Sequence, residues 1–344
     1  MFLRLNTQIF SLVLMSLLAH VTLSGGRVAS SLFVLEQGNS EVIAGLTYGL
    51  YGLMPALLAL HIGRLVDRVG PKLIMRLSLF LMVTGLVLPA IHLSIASILV
   101  CAALSGLGFG GYVLAAHVSI SLMKVEQVSD RTALYAWLQM GMSVSAVSGP
   151  FLIGLVIDTS NFSTAYLCLT SIVALGFIWS FFANIPKRKN HKEVETTSSI
   201  LDDVKKDYSI LRMYLFSMAV YLAWDCFAFM IPVLGHDRGY SAATIGSILS
   251  FFAVGTFVVR AMQPWLSRKS SEWKTLCVSY ALACGVFMIL PFAQSMAALC
   301  SISLIFGLSA GVGHPNVLNL ILSTVDSSKS GEASGLRLMT GNFA

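Results

Sequence analysis

Charge is scarce in this sequence. Asp, Glu, Lys and Arg together make up 11% of its 344 residues, where a soluble domain carries about 25%. So few charges exclude a chain solvated on all sides. Ten-residue segments of apolar–polar alternation are also lacking, which excludes a membrane β-barrel. The six cysteines, Cys101, Cys168, Cys226, Cys277, Cys284 and Cys300, all fall inside apolar runs, and none has metal-ligand spacing. They read as small buried hydrophobes, so neither a disulfide framework nor a metal centre is expected. No nucleophile–base pattern and no nucleotide loop stands out, so the chain is not read as an enzyme and no cofactor is implied. The formal net charge is +6, but the basic residues form no soluble cluster of the kind that holds nucleic acid.

Apolar length is what the sequence has in abundance. Its mean hydropathy is +0.81, and runs such as 73–91, 94–123, 163–185 and 275–293 reach the roughly 20 residues that cross a bilayer as a helix. Approximate spans fall at 7–35, 41–63, 72–92, 94–123, 131–157, 163–185, 211–235, 241–265, 274–293 and 295–324, and an eleventh begins near 331. The first begins like a signal peptide, but its apolar stretch is long and no small-x-small site follows, so it reads as a retained helix. The fold class expected is an all-α polytopic membrane protein embedded in a lipid bilayer.

Orientation follows from the basic residues. With the N-terminus in the cytoplasm, all of the 22 Lys and Arg except Arg27 and Arg238 fall at inner loops or inner helix ends. That is the positive-inside pattern. The one long polar stretch, over 186–210, is then a cytoplasmic linker between an N-terminal six-helix bundle (1–185) and a second bundle (211–344).

A gapless offset of 201 positions supports two related halves. Gly38, Ser40 and Gly45 fall on Gly239, Ser241 and Gly246; Ser94 falls on Ser295; Gly106 and Gly110 fall on Gly307 and Gly311. Parallel repeats of this kind mark transporters whose halves rock about a central site. The same offset leaves helix 11 incomplete and helix 12 missing, so the chain reads as truncated.

The turn "GRLVDRVGPK" (63–72) places Arg64, Asp67, Arg68 and Lys72 between the second and third spans. Gly63 is expected to let the helix end approach a neighbour, while Gly70 and Pro71 break the chain and restart it. This turn resembles the loop-2/3 signature of the major facilitator superfamily, Gly-x-Leu-x-Asp-Arg-x-Gly-x-Lys, at Gly63, Leu65, Asp67, Arg68, Gly70 and Lys72. The resemblance extends over the whole chain, with a degenerate second copy at 264–274. It implies the major facilitator fold, two pseudo-symmetric six-helix bundles, and a conformational latch made by Gly63, Asp67, Arg68 and Gly70.

The fifth span reads "GMSVSAVSGPFLIG", with small residues every fourth position at Gly141, Ser145 and Gly149, then Pro150 and Gly154. This stripe is similar to the antiporter signature of the same superfamily, with Ser145 and Ile153 where glycines are expected. Generic small-residue packing accounts for it equally. The Gly-rich "GLGFGG" (106–111) lies within the fourth span and reads as packing. Drug antiporters of the superfamily carry an arginine where this chain has Ala102, so their standard proton relay is not expected here.

Ionisable groups inside spans are costly and mark function by default. Arg27 in the first span and Asp225 in the seventh stand out. The offset maps Arg27 to position 228, one turn from Asp225. The pair is expected either to close an outer gate or to divide the work, with Arg27 holding an anionic substrate group and Asp225 carrying an exchangeable proton. The alternatives are an Arg27 that reaches the headgroups and a structural, hydrogen-bonded Asp225. His117 in the fourth span and His314, Asn316 and Asn319 in the tenth are further candidates, each of which serves equally as an interhelical hydrogen-bonding group.

The function expected is secondary active transport of a small molecule by alternating access, coupled to protons, by a monomer in a bacterial inner membrane. Efflux is preferred because of the stripe in the fifth span. Proton-coupled uptake of a small organic anion or sugar is one alternative, and a non-transporting truncated membrane protein is another.

Overall fold

The structure is a computed structural model that describes residues 2–123, 128–185, 204, 207–324, 333, 336, 337 and 339–341. Most of the 186–210 stretch and the side chains of Asp67, His314 and Asn319 lie outside the described residues. Among the described residues ten long α-helices follow in order: α1 (Phe2–Glu36), α2 (Glu41–Val69), α3 (Pro71–Ile91), α4 (Ile95–Ser121), α5 (Val128–Thr159), α6 (Phe162–Phe182), α7 (Tyr208–Asp237), α8 (Ala242–Lys269), α9 (Glu272–Ile289) and α10 (Met296–Thr324). No strand occurs among the described residues. All ten helices are long and apolar enough to cross a membrane, because only a helix satisfies every backbone polar group within one segment.

The helix ends are set by local chemistry. Gly70 takes φ +90°, a left-handed geometry that glycine adopts without cost, and donates its amide to the Val66 carbonyl. Pro71 then opens α3 at a position whose amide needs no partner. Ser94 and Ser97 cap α4 reciprocally, each hydroxyl accepting the other's amide. Asn161 caps α6 by accepting the Thr164 amide at 2.8 Å. Large apolar side chains stay exposed in stripes, such as Leu73, Leu77 and Phe80 on α3 and Leu175, Ile178 and Phe182 on α6. In water such faces would drive association; beside acyl chains they carry no penalty.

The offset of 201 positions recurs in the geometry. Gly38 and Gly239 both take positive φ, 72° and 69°, at the ends of α1 and α7. Their amides donate to Leu35 and His236, and the next amides to Val34 and Gly235, which are offset-related carbonyls. Ser295 opens α10 as Ser94 opens α4, accepting an amide three residues on. A Cβ at Gly106 would overlap the Tyr51 carbonyl, and one at Gly307 would overlap that of Phe252. Gly110 meets Pro55 where Gly311 meets Thr256. Each pair obeys the same offset, so α2 packs on α4 as α8 packs on α10.

The chain divides into two compact units. Unit 1 comprises Met1–His191 with Ile231–Ser250, and unit 2 comprises Lys192–Met230 with Phe251–Ala344. In unit 1 the close approaches are made by small residues: Gly108 sits on the Ser78 carbonyl, and Gly25 lies against Ile153. In unit 2 Phe227, Phe252, Phe287 and Phe306 form an aromatic core, with Phe227 and Phe306 stacked at 4.3 Å. Two sequence expectations are corrected. Among the described residues nothing lies within 4 Å of a Cβ built on Gly63, so close packing against a described helix does not account for it. Cys277 and Cys284 are exposed on α9 rather than buried, since a thiol on a helix face within a membrane meets lipid as readily as core.

Candidate functional site

In unit 1 the α1 face carries a line of polar groups. Arg27 is half-buried. Its Nη1 donates to the Tyr48 hydroxyl at 3.3 Å, and its guanidinium lies over the Tyr48 and Tyr51 rings at 4.7 and 5.9 Å. The group therefore folds onto α2, where the ring faces offset part of its desolvation. Ser30, one turn on, joins the Tyr51 and Tyr166 hydroxyls, each at 2.9 Å. Below Arg27, His20 Nδ1 meets the Ser145 hydroxyl at 2.7 Å, and its ring tilts against Phe109 at 5.4 Å.

The small-residue stripe of α5 splits between two neighbours. Gly141, Ser145 and Gly149 face α1, where a Cβ at Gly141 would touch Val13 and one at Gly149 would overlap Ser24. Gly154 faces the start of α8, against Ala242 and Ala243, while the Pro150 carbonyl sits on Gly246. Ser250 donates to the Val147 carbonyl at 2.6 Å. At the end of this seam both Asp158 carboxylate oxygens accept amides, from Ala242 at 2.9 Å and Ala243 at 2.8 Å. A carboxylate there meets unpaired amides and the positive end of the α8 dipole.

The turn after α2 has a further structural role. Lys72 donates to the Ala183 carbonyl at 3.1 Å, and Arg76 to the Ser180 carbonyl at 3.4 Å, with Arg76 over the Phe181 ring at 4.4 Å. Basic side chains of α3 thus serve the carbonyl end of α6, where cations are favoured. Arg64 and Arg68 are exposed. His117 packs edge-on against Tyr135 of α5 at 5.6 Å, and the Tyr135 hydroxyl donates to the His117 carbonyl. Ala102, where an antiporter arginine is absent, is buried with Leu23 and Tyr51 in an apolar cluster.

In unit 2, Tyr221, Trp224 and Asp225 share one face of α7, at helical spacing. Asp225 is half-buried. The Arg260 guanidinium of α8 lies over the Trp224 ring at 5.7 Å, and that of Arg337 lies over the Tyr221 ring at 5.3 Å. Arg337 is only 7% exposed. Gln263, one turn beyond Arg260, donates to the buried side chain of Asn316 on α10. Asn316 thus joins a polar group on this side of the unit.

Four of these groups escape a reading of the sequence. His20 lies mid-run in α1, and the rule that singled out Arg27 would have found it. Arg260 and Arg337 were assigned to inner helix ends by loop charge. Asp158 sits at a span end, and nothing local marks its partner. No cluster of His, Cys, Asp and Glu fit to hold a metal occurs among the described residues.

Ten apolar helices among the described residues, a repeat in sequence and geometry, and charged side chains held inside spans define a multi-pass membrane protein. The chain belongs to the Major Facilitator Superfamily, whose family model matches residues 10–344. It is 24% identical over 268 residues to the inner membrane transport protein YajR of Escherichia coli (strain K12), covering 73% of this chain and 56% of YajR. The chain thus spans little more than half of that relative. It is also 24% identical to the multi-drug resistance efflux pump PmrA of Streptococcus pneumoniae serotype 4, covering 84% of this chain and 73% of PmrA. Its fold is similar to that of a peptide transporter POT crystallised with sulfate (TM-score 0.78, 15% identity, 97% of this chain and 86% of that one). The nucleoside transporter NupG has a similar fold too (TM-score 0.76, 13% identity, 97% and 88%).

Proposed function

We propose that this protein exports a small molecule across a bacterial inner membrane in exchange for protons, working by alternating access as a monomer. Its halves are taken as 1–185 and 211–344, with 186–210 as a cytoplasmic connector. The observation that carries export is the α5 seam. Gly141, Ser145 and Gly149 lie against α1 and Gly154 against α8, along the stretch that resembles the antiporter signature. The similarity to a protein named as an efflux pump supports the same direction.

Asp225 is assigned the exchangeable proton, because a carboxylate inside a span has a neutral form that crosses the low-dielectric interior cheaply. Arg27 is assigned to an anionic group of the substrate, since its guanidinium is oriented by Tyr48 and Tyr51. The latch role of Gly63, Asp67, Arg68 and Gly70 belongs to the same reading.

Everted vesicles test it. With an acid-inside gradient, export moves substrate into the lumen and alkalinises it. Accumulation only in right-side-out vesicles would replace export with uptake of an organic anion or sugar. A protein that moves none of a broad compound panel in either geometry would be a non-transporting membrane protein.

A further inference from the structure

At the end of unit 2 where α7 begins, α8 ends and α9 begins, aromatic and basic side chains gather. Phe216 of α7 meets Trp273 of α9 edge-on at 5.9 Å and lies against Tyr280, two turns further along α9, at 5.7 Å. The Tyr280 hydroxyl donates to the Phe216 carbonyl at 2.6 Å, which joins the three rings into one ledge between the two helices. The ledge is uncovered: Phe216 is 40% exposed and Trp273 45%. Arg212 stands one turn from Phe216 on the same face of α7, and Lys274 follows Trp273; both are exposed. Lys269 is the last residue of α8, and its ammonium lies over the exposed Trp265 ring at 4.5 Å.

The positive-inside pattern accounts for cations at a helix end, but not for a ledge of rings locked together beside them. Among the described residues no carboxylate forms an ion pair with Arg212, Lys269 or Lys274. The nearby Asp207 carboxylate accepts the Ser209 amide at 2.7 Å. Over 207–212 and 268–274 the sequence holds four basic residues (Arg212, Arg268, Lys269, Lys274) against two acidic ones (Asp207, Glu272), a net charge of +2. Each cation near a bilayer surface favours an anionic lipid by about five-fold. A zwitterionic headgroup brings its own cation and gains far less. Aromatic rings are favoured at headgroup level, beside the first acyl carbons, and exposed Leu215 and Val278 extend the apolar surface. A free phosphate would meet the cations and leave the ledge unused.

We infer that Arg212, Phe216, Lys269, Trp273, Lys274 and Tyr280 form a binding site for a phospholipid whose headgroup carries net negative charge. Its phosphate oxygens accept from Arg212, Lys269 and Lys274, and its acyl chains lie on the Phe216–Trp273–Tyr280 ledge. The site is separate from substrate binding and does not depend on the direction of transport.

Tryptophan fluorescence of the purified full chain in vesicles tests it, because a brominated acyl chain quenches only the rings it touches. The host lipid is phosphatidylcholine, doped at equal mole fraction with brominated phosphatidylglycerol or brominated phosphatidylcholine. Brominated phosphatidylglycerol quenches about two-fold more, and Trp273→Phe removes at least half of that excess. Arg212→Gln combined with Lys274→Gln lowers the excess about five-fold or more, and so does molar salt. Inorganic phosphate at constant ionic strength leaves it unchanged. Should the double variant not fold, the two-lipid comparison in the unaltered protein and in Trp273→Phe decides alone. Equal quenching by the two lipids, an excess that survives intact in Trp273→Phe, or the full excess in the folded double variant overturns the site. Loss of the excess to inorganic phosphate overturns the lipid and makes the ligand a soluble phosphate compound.

Discussion

The Asp158 carboxylate, at the end of α5, accepts the Ala242 amide at 2.9 Å and the Ala243 amide at 2.8 Å at the start of α8. A helix that lies elsewhere in the chain is thereby capped by a side chain more than eighty residues earlier. Ser241, at the N-terminal edge of α8, supplies its own hydroxyl to the Thr244 amide at 3.3 Å, so the first turn of α8 has both a local and a remote cap. Asp158→Ala removes the remote one and lowers stability by about 1–2 kcal/mol, in line with capping and charge-assisted hydrogen bonds. Asp158→Asn recovers about half of that, because one amide keeps an acceptor. Thermal melts in detergent check both.

Two glycines, Gly149 and Gly63, separate packing from latch function. At Gly149 a Cβ would overlap Ser24 and the Val21 carbonyl, so Gly149→Ala costs about 1–3 kcal/mol, as overpacking does. At Gly63 no described residue lies within 4 Å of an added Cβ, so Gly63→Ala is neutral or gains up to about 1 kcal/mol in helix propensity. If the turn after α2 acts as a latch, Gly63→Ala lowers flux with stability intact. Unchanged flux and stability together would remove Gly63 from the latch.

The repeat makes a paired forecast. Gly106 meets the Tyr51 carbonyl as Gly307 meets the Phe252 carbonyl. Gly106→Ala and Gly307→Ala therefore each cost about 2–3 kcal/mol by forcing two helices apart. Melting of both variants checks this. A large effect at one position and none at the other would show that the two close approaches are not mechanically equivalent.

Ser145→Gly installs the residue that the antiporter signature expects. It removes the hydroxyl that meets His20 at 2.7 Å. The loss is about 1 kcal/mol, the net worth of one such bond. Flux that holds or rises while stability falls would show that the serine serves structure and not turnover.

If Arg27 and Asp225 carry the proposed roles, Arg27→Ala and Asp225→Asn each reduce flux at least ten-fold, whereas Tyr48→Phe, which keeps the ring under Arg27 and loses the 3.3 Å hydrogen bond, retains most of it. The direct check is vesicle flux at fixed expression. Full flux in both Arg27→Ala and Asp225→Asn would remove the two residues from the coupling scheme.

Membrane class, the ten described spans and the repeat register were all legible in the residues, because each depends on a property summed over a segment. Twenty apolar residues insert whatever their neighbours are, and a Gly-x-Ser turn such as 38–40 or 239–241 folds from its own dihedral preferences. The α5 stripe could be recognised as a close-packing face for the same reason. What faced it could not. That Gly149 meets α1 while Gly154 meets α8, that Asp158 caps a distant helix, and that Arg260 and Arg337 turn onto α7 are contacts across large sequence separations. Such contacts depend on how whole helices rotate about their axes, and a pattern confined to one helix specifies which face is small or apolar without specifying which neighbour receives it. Loop charge assigned both arginines to the inner edge; only packing decided that their heads lie on aromatic rings.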